Sequence, residues 1–393
     1  MKHEACYQQF LDKNPHPRFL KSLEVIQGFS SVYVKENGRK ILNFSSSDTL
    51  GLANHPLLIE RSHEYAKRYG TGTSASRLVS GNFDCYDALE TRLAKSLGKP
   101  AALILGSGYQ ANQSIPEALF NSHILGSEPL VFCDRLCHAS IMAGVRSLKR
   151  LHRFRHNDLS HLHHLLQKYA RPDHPIFILA ESVYSMEGDE ANLPGLIDLA
   201  KQYEAFLYID DAHSVGVQGH EGWGKSAEYA NDIPIIMGTF SKALGSFGGF
   251  IGCSETIKQY LINKCRGLIY STGLSPAILG AISAAIELVP TLHDARERLL
   301  ERAENVRAFL KEKNLDCGAS TTHIIPWIIG DAKKTLYVSE LLREEGILAT
   351  GIQPPSVPNG QSRIRFSLSA AHSDEDMEHF FNAISIVQKK LPA

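Results

Sequence analysis

The chain has 393 residues, 43% of them hydrophobic and 21% charged, with 41 Lys and Arg against 42 Asp and Glu. That balance excludes a strongly basic nucleic-acid binder or a membrane-surface protein, and the length suits one large domain with a smaller companion. The seven cysteines are scattered without a disulfide framework, and no apolar run reaches membrane-spanning length. The start, MKHEACYQQFLDKNPHPRFL, has no apolar signal core, so a reducing cytoplasm is the expected location.

Residues 1–50 are expected to form an arm and a short strand pair within SVYVKENGRKILNF, after which a helix returns to a large domain over 51–290. From about residue 100, apolar runs alternate with helical patterns. AALILG leads through a Gly-containing turn to a helix from Ala111, and LVFCD, PIFILAE, AFLYIDD, IPIIMGTF and GGFIGC follow as strands. Continuous apolar runs separated by amphipathic stretches such as LPGLIDLAKQYE predict an α/β fold with a mostly parallel sheet buried on both faces. Over 291–393 the order changes. A long charged helix precedes strands IIPWIIG and RIRFSLS, which flank the helix of TLYVSELLREEG, and a last helix closes a small α+β domain.

Ligands of open parallel sheets sit beyond the carboxyl ends of the strands. Five polar loops fall there: GSGYQAN, CDRLCHAS, ESVYSMEGD, DDAHSVG and GTFSK. The first offers backbone N–H groups and a helix dipole to an anion, and its spacing fits one phosphate rather than a dinucleotide. Asp210, Asp211 and His213 follow one apolar strand, as a helix cap with a core histidine or as a carboxylate able to hold a protonated ring nitrogen. His138 stands at a helix start, and Cys133 with Cys137 and His138 lacks the second ligand pair of a metal site, so no metal is expected. Lys242 lies in MGTFSKALGSFGGF with no carboxylate beside it in sequence. A neutral amine, a phosphate cup, a carboxylate and two imidazoles together fit pyridoxal phosphate. Glu181 and Asp189 read as groups satisfying their loop. Arg363 and Arg365 alternate with apolar residues, and Arg365 is favoured as functional. The His-rich helix HLHHLLQK reads as a solvated face.

With DDAHSVGVQG and GTFSKALGSFGGF at this spacing, the chain resembles the α-oxoamine synthases from NFSSSDTLGLANHP to RIRFSLSAAHSDEDM. These are fold-type-I pyridoxal-phosphate enzymes that join an amino acid to an acyl thioester with loss of carbon dioxide. The resemblance implies a mostly parallel seven-stranded sheet. CDRLCHASIMAGVRS, RGLIYSTGLSPA and GIQPPSVPNGQSRIRFSLSAAH resemble the branch that uses L-alanine and a pimeloyl thioester of coenzyme A or a carrier protein. Relatives that condense glycine or serine are the alternatives, and a non-catalytic partner subunit would lack the lysine that stands at 242. By the resemblance, Lys242 forms the Schiff base and moves the Cα proton, Asp210 holds the pyridine nitrogen, and His213 and Ser185 bond the phenolic oxygen. His138 stacks on the ring and orients the thioester carbonyl. Gly108, Tyr109, Thr239 and Ser241 face the phosphate, which Ser271 and Thr272 reach from the neighbouring subunit of a homodimer. Arg365 grips the substrate carboxylate, and Ser356 stands where the family has a substrate-contacting threonine. Ser47 replaces the usual Asn near the carboxylate and Thr49 a Tyr. Ala75 and Tyr86 stand for a common Gly and His. These departures bear on substrate choice rather than on the cofactor.

Overall fold

The computed structural model describes residues 2–13, 23, 25–26, 28, 30–36 and 38–391. The expected strand pair is an antiparallel hairpin of β1 (Tyr33–Glu36) and β2 (Arg39–Asn43), with Tyr33 opposite Leu42. Asn37, between the two strands in sequence, lies outside the described residues.

The six apolar runs become β3 (Ala101–Leu105), β4 (Leu130–Asp134), β6 (Ile176–Glu181), β7 (Phe206–Asp210), β8 (Ile235–Thr239) and β9 (Gly249–Cys253), while β5 (Leu151–Phe154) completes the sheet. The order is β3-β9-β8-β7-β6-β4-β5. β9 runs antiparallel to both its neighbours, and the other pairings are parallel. β5 escapes a reading by apolar runs because LHRF is a short edge strand in which only Phe154 is buried. The runs are continuously apolar because each face of the sheet has its own core. Ala102, Ile104, Phe132, Ile178, Ala180, Leu207 and Ile209 join one cluster, and their alternates Leu103, Leu105, Val131, Cys133, Phe177, Leu179 and Tyr208 join the other.

The C-terminal part carries β10 (Ile324–Gly330), β11 (Ile347–Leu348), β12 (Thr350–Ile352) and β13 (Ser362–Ser367), with β13 central between β10 and β12. β11 pairs instead with β2, in parallel, with Ile347 opposite Leu42. The strand pair therefore does not stand apart with the N-terminal arm. Ser367 N–H donates to the Phe44 carbonyl at 2.8 Å, and the Phe44 ring packs on His372 and Phe380 with centroids 4.3 and 4.5 Å away. Among the described residues no single helix is long and apolar enough to cross a membrane.

Candidate active site

A cavity of about 240 Å³ opens at the carboxyl edge of the parallel strands, and all five polar loops contribute to its wall. Ser107, Gly108, Tyr109 and Asn112 follow β3, His138 and Ser140 follow β4, and Glu181 ends β6. Asp210, Ala212 and His213 come from β7, and Met237, Thr239, Ser241 and Lys242 from β8 and its loop. The helix after β3 begins at Gly108 rather than Ala111, because the Ser107 hydroxyl caps it, accepting from Gln110 N–H at 3.1 Å. Its N-terminus therefore opens directly on the cavity. The backbone there is closely packed: a Cβ on Gly249 would lie 2.6 Å from the Ser107 carbonyl oxygen and 2.7 Å from Gly108 N. Thr239 Oγ1 and Ser241 Oγ, 2.8 Å apart, stand on the facing loop.

Charge in this pocket is set by burial. Burial lowers the Lys242 amine to about 8, against the opposing pull of Asp210 and Glu181, so about a tenth of it is unprotonated at pH 7. Burial also drives His213 well below the usual histidine range, with Lys242 and Arg365 adding to the effect. His138 is lowered by burial too, although Asp210 opposes this. Burial and the nearby Asp210 push Glu181 up, and Glu181 Oε1 accepts the backbone N–H of His138. This carboxyl does more than satisfy its own loop, since it lines the cavity. Asp210 Oδ1 accepts from Ala212 N–H at 2.9 Å and Oδ2 from Asn112 Nδ2 at 2.6 Å.

Other residues singled out in the sequence lie outside the wall of this cavity. Ser185 is buried, and its carbonyl accepts from Arg365 Nε at 2.6 Å. The Arg365 charge adds to the lowering of Lys242 and His213, and partial burial lowers Arg365 itself to about 10. Ser271 Oγ accepts from Gln110 Nε2 of the same chain at 2.7 Å, and Thr272 is exposed, bridged to Ser76. Ser356 is exposed. The Ser47 carbonyl accepts from the Thr49 hydroxyl at 3.1 Å, and no contact of its side chain with the cavity is present. Tyr86, fully buried, accepts Leu274 N–H on its hydroxyl at 2.7 Å, a packing role. Asp189 bonds His156 and Asn157, which is loop satisfaction as expected.

Sequence reasoning passed over Asn112, Ser140, Tyr208 and His323. Asn112 lay within the quoted GSGYQAN loop, one helical turn beyond Gly108, which is the signal that could have found it. His323 is buried, with Nδ1 unpartnered, and burial plus Arg365 and Lys242 bring it down to about 3. Nothing in TTHIIP marks it, because its neighbours are brought together only by the fold. Among the described residues no group of three or more His, Cys, Asp or Glu is placed to hold a metal.

A half-buried amine within the field of two carboxylates, a helix N-terminus with two hydroxyls opposite it, and a carboxylate deep in the pocket fit pyridoxal phosphate. Fold and pocket together define a fold-type-I pyridoxal-phosphate enzyme. The model of the aminotransferase class I and II family matches residues 39–384. The chain belongs to that family and, within it, to the α-oxoamine synthases. A Magnetococcus marinus protein provisionally named 8-amino-7-oxononanoate synthase is 47% identical over 376 residues, 94% of each chain. The 8-amino-7-oxononanoate synthase of Gluconacetobacter diazotrophicus is 43% identical over 97% of this chain and 96% of its own. Among solved structures, a serine palmitoyltransferase from S. paucimobilis, with a pyridoxal phosphate–myriocin aldimine, superposes with a TM-score of 0.89. It is 26% identical, over 99% of this chain and 97% of that one. The 8-amino-7-oxononanoate synthase of Francisella tularensis gives 0.75 at 28% identity, over 89% and 97%. The chain is a pyridoxal-phosphate-dependent acyltransferase.

Proposed function

We propose that this protein condenses L-alanine with a pimeloyl thioester of coenzyme A or a carrier protein. The products would be 8-amino-7-oxononanoate, carbon dioxide and the free carrier, in the biotin pathway of the cytoplasm. The observation that carries the amino acid half is Arg365, a half-buried cation with no carboxylate in ion-pair reach among the described residues. A guanidinium partly removed from water without a counter-charge is costly, and a substrate carboxylate is its natural bidentate partner. The acyl half rests on the names of the relatives that are 41 to 48% identical.

Bound pyridoxal phosphate supplies an aldehyde that takes up amino groups and a ring that accepts the electron pair left at a substrate carbon. Around it, each residue has a task. Lys242 would hold the aldehyde and, as a free amine, would take the substrate's Cα proton, which its lowered basicity favours. Asp210 would keep the ring nitrogen protonated, and His213, held neutral by its surroundings, would donate toward the phenolic oxygen, a role the family resemblance also gives to Ser185. Gly108, Tyr109, Thr239 and Ser241 bind the phosphate. Ser271 and Thr272 would complete that cup from the second subunit of a homodimer, while Ser356 and Ser47, outside the cavity wall, are assigned to the substrate by the family resemblance alone.

The closer superposition on serine palmitoyltransferase favours a second reading, serine with a long acyl thioester. Purified enzyme given alanine, serine or glycine with pimeloyl or palmitoyl thioesters separates them, with the product read by mass. Product only from serine and palmitoyl thioester would overturn the alanine reading. Product from glycine alone would point to the 2-amino-3-ketobutyrate ligase branch.

A further inference from the structure

One buried side chain touches both ends of the pocket's chemistry. Asn112, 2% exposed, donates from Nδ2 to Asp210 Oδ2 at 2.6 Å and to Ser140 Oγ at 3.0 Å. Its Oδ1 accepts from the Tyr208 hydroxyl at 2.8 Å. The amide orientation follows from these partners: turned over, its oxygen would face the Asp210 carboxylate, and Tyr208 would lose its acceptor. Ser140 Oγ, already accepting from Asn112, has its own proton free, and His138 Nδ1 lies 2.6 Å away. The Ser140 backbone N–H, which can only donate, also points at Nδ1, at 3.2 Å. Nδ1 is thus an acceptor twice over, and a neutral imidazole so held carries its proton on Nε2.

We propose that Asn112 and Ser140 are positioning residues that hold His138 as its Nε2–H tautomer. His138 is then a neutral hydrogen-bond donor to a substrate carbonyl oxygen and not a proton acceptor, while the same amide pins Asp210. Ordinary surroundings leave histidine free to choose its tautomer, and a chain of obligate donors removes that choice. The helix that ends in the phosphate cup carries Asn112 one turn further on, so cofactor, carboxylate and imidazole are referenced to one rigid element. The carbonyl is that of the acyl thioester, and this identification rests on the condensation proposed above.

The test uses the cofactor-loaded enzyme, with thioester condensation, L-alanine Cα-hydrogen exchange in deuterium oxide and cofactor retention measured separately. Ser140→Ala is expected to lower kcat/KM for the thioester by about 10- to 100-fold, with Cα exchange and cofactor retention unchanged. Ser140→Thr, which keeps the hydroxyl, is expected to restore it. Asn112→Ala loosens both links, so cofactor retention falls as well. Should that variant not fold, Tyr208→Phe removes only the donor that fixes the amide and is expected to lower thioester kcat/KM in the same way. Nitrogen-15 spectra of histidine-labelled enzyme, assigned with His138→Gln, read the tautomer directly and need no turnover. Thioester kinetics of Ser140→Ala equal to wild type, or a proton found on Nδ1 of His138 in the wild type, would overturn the proposal. Absence of condensation in the wild type would instead overturn the reaction proposed above and leave the tautomer measurement standing.

Discussion

Arg363 and Arg365 stand two residues apart on β13, yet among the described residues only Arg363 has a carboxylate partner: its Nη1 donates to Glu187 Oε1 at 3.1 Å and to the Met186 carbonyl at 3.0 Å. The two arginines should therefore fail differently. Arg365→Ala is expected to raise KM for the amino acid about 100-fold with little change in melting temperature, as loss of a charged bidentate contact does. Arg363→Ala leaves the half-buried Glu187 without its cation and is expected to cost about 2 kcal/mol of stability. Steady-state kinetics beside thermal melts distinguish these outcomes, and a reversed pattern would reassign the substrate arginine.

Lys242→Ala should abolish turnover together with the long-wavelength absorbance of bound cofactor. A variant that still turned over would remove the lysine from its role.

Capture of the cofactor by the apoprotein needs the unprotonated amine. With the Lys242 amine lowered to about 8, its reactive fraction rises as pH climbs toward that value and levels off above it. The rate of absorbance gain on adding pyridoxal phosphate, followed from pH 6 to 10, should plateau about two units below the point expected of an exposed lysine. A rate still rising at pH 10 would contradict a lowered lysine.

Gly249→Ala places a methyl group against Ser107 and Gly108, where the proposed phosphate cup begins. Cofactor affinity is expected to weaken about tenfold or more, since the helix N-terminus must shift to make room. Equilibrium dialysis of the cofactor measures this, and unchanged affinity would place the phosphate elsewhere.

His156 donates from Nδ1 to Asp134 at 3.1 Å and from Nε2 to Asp189 at 3.0 Å. Burial alone would lower this histidine, but the two aspartates outweigh it and raise it to about 10. A raised value in the folded state means the stabilisation is whole below the unfolded pKa of about 6.5 and fades as pH rises toward 10. His156→Gln is expected to lower the melting temperature at pH 6 by an amount that shrinks at pH 10, and a constant difference would argue against a charged imidazole.

The strands and five of the site loops were legible because apolar runs buried on both faces, and polar residues at their ends, are local signals. Lys242, Asp210, His213 and His138 were found that way, and the cavity brings them together. Asn112 and Tyr208 were not, for each looks like ordinary core until the sheet sets them 2.8 Å apart. β5 was hidden by polar edge residues, and Ser185 was read by its hydroxyl when its carbonyl makes the contact with Arg365. Glu181 was read as loop support because its distance from Lys242 depends on which strands are neighbours, and no sequence spacing encodes that.

The pairing of β2 with β11 has a consequence for how the chain is made. On a ribosome, residues 33–44 emerge long before Ile347 and Leu348, so the outer edge of β2 waits unpaired while the large sheet is synthesised. An exposed apolar strand edge is where a nascent chain meets the wrong partner. Transcripts truncated anywhere before residue 347 should thus yield aggregates rather than a trimmed, working domain, and the last stretch translated is the one that makes the first safe.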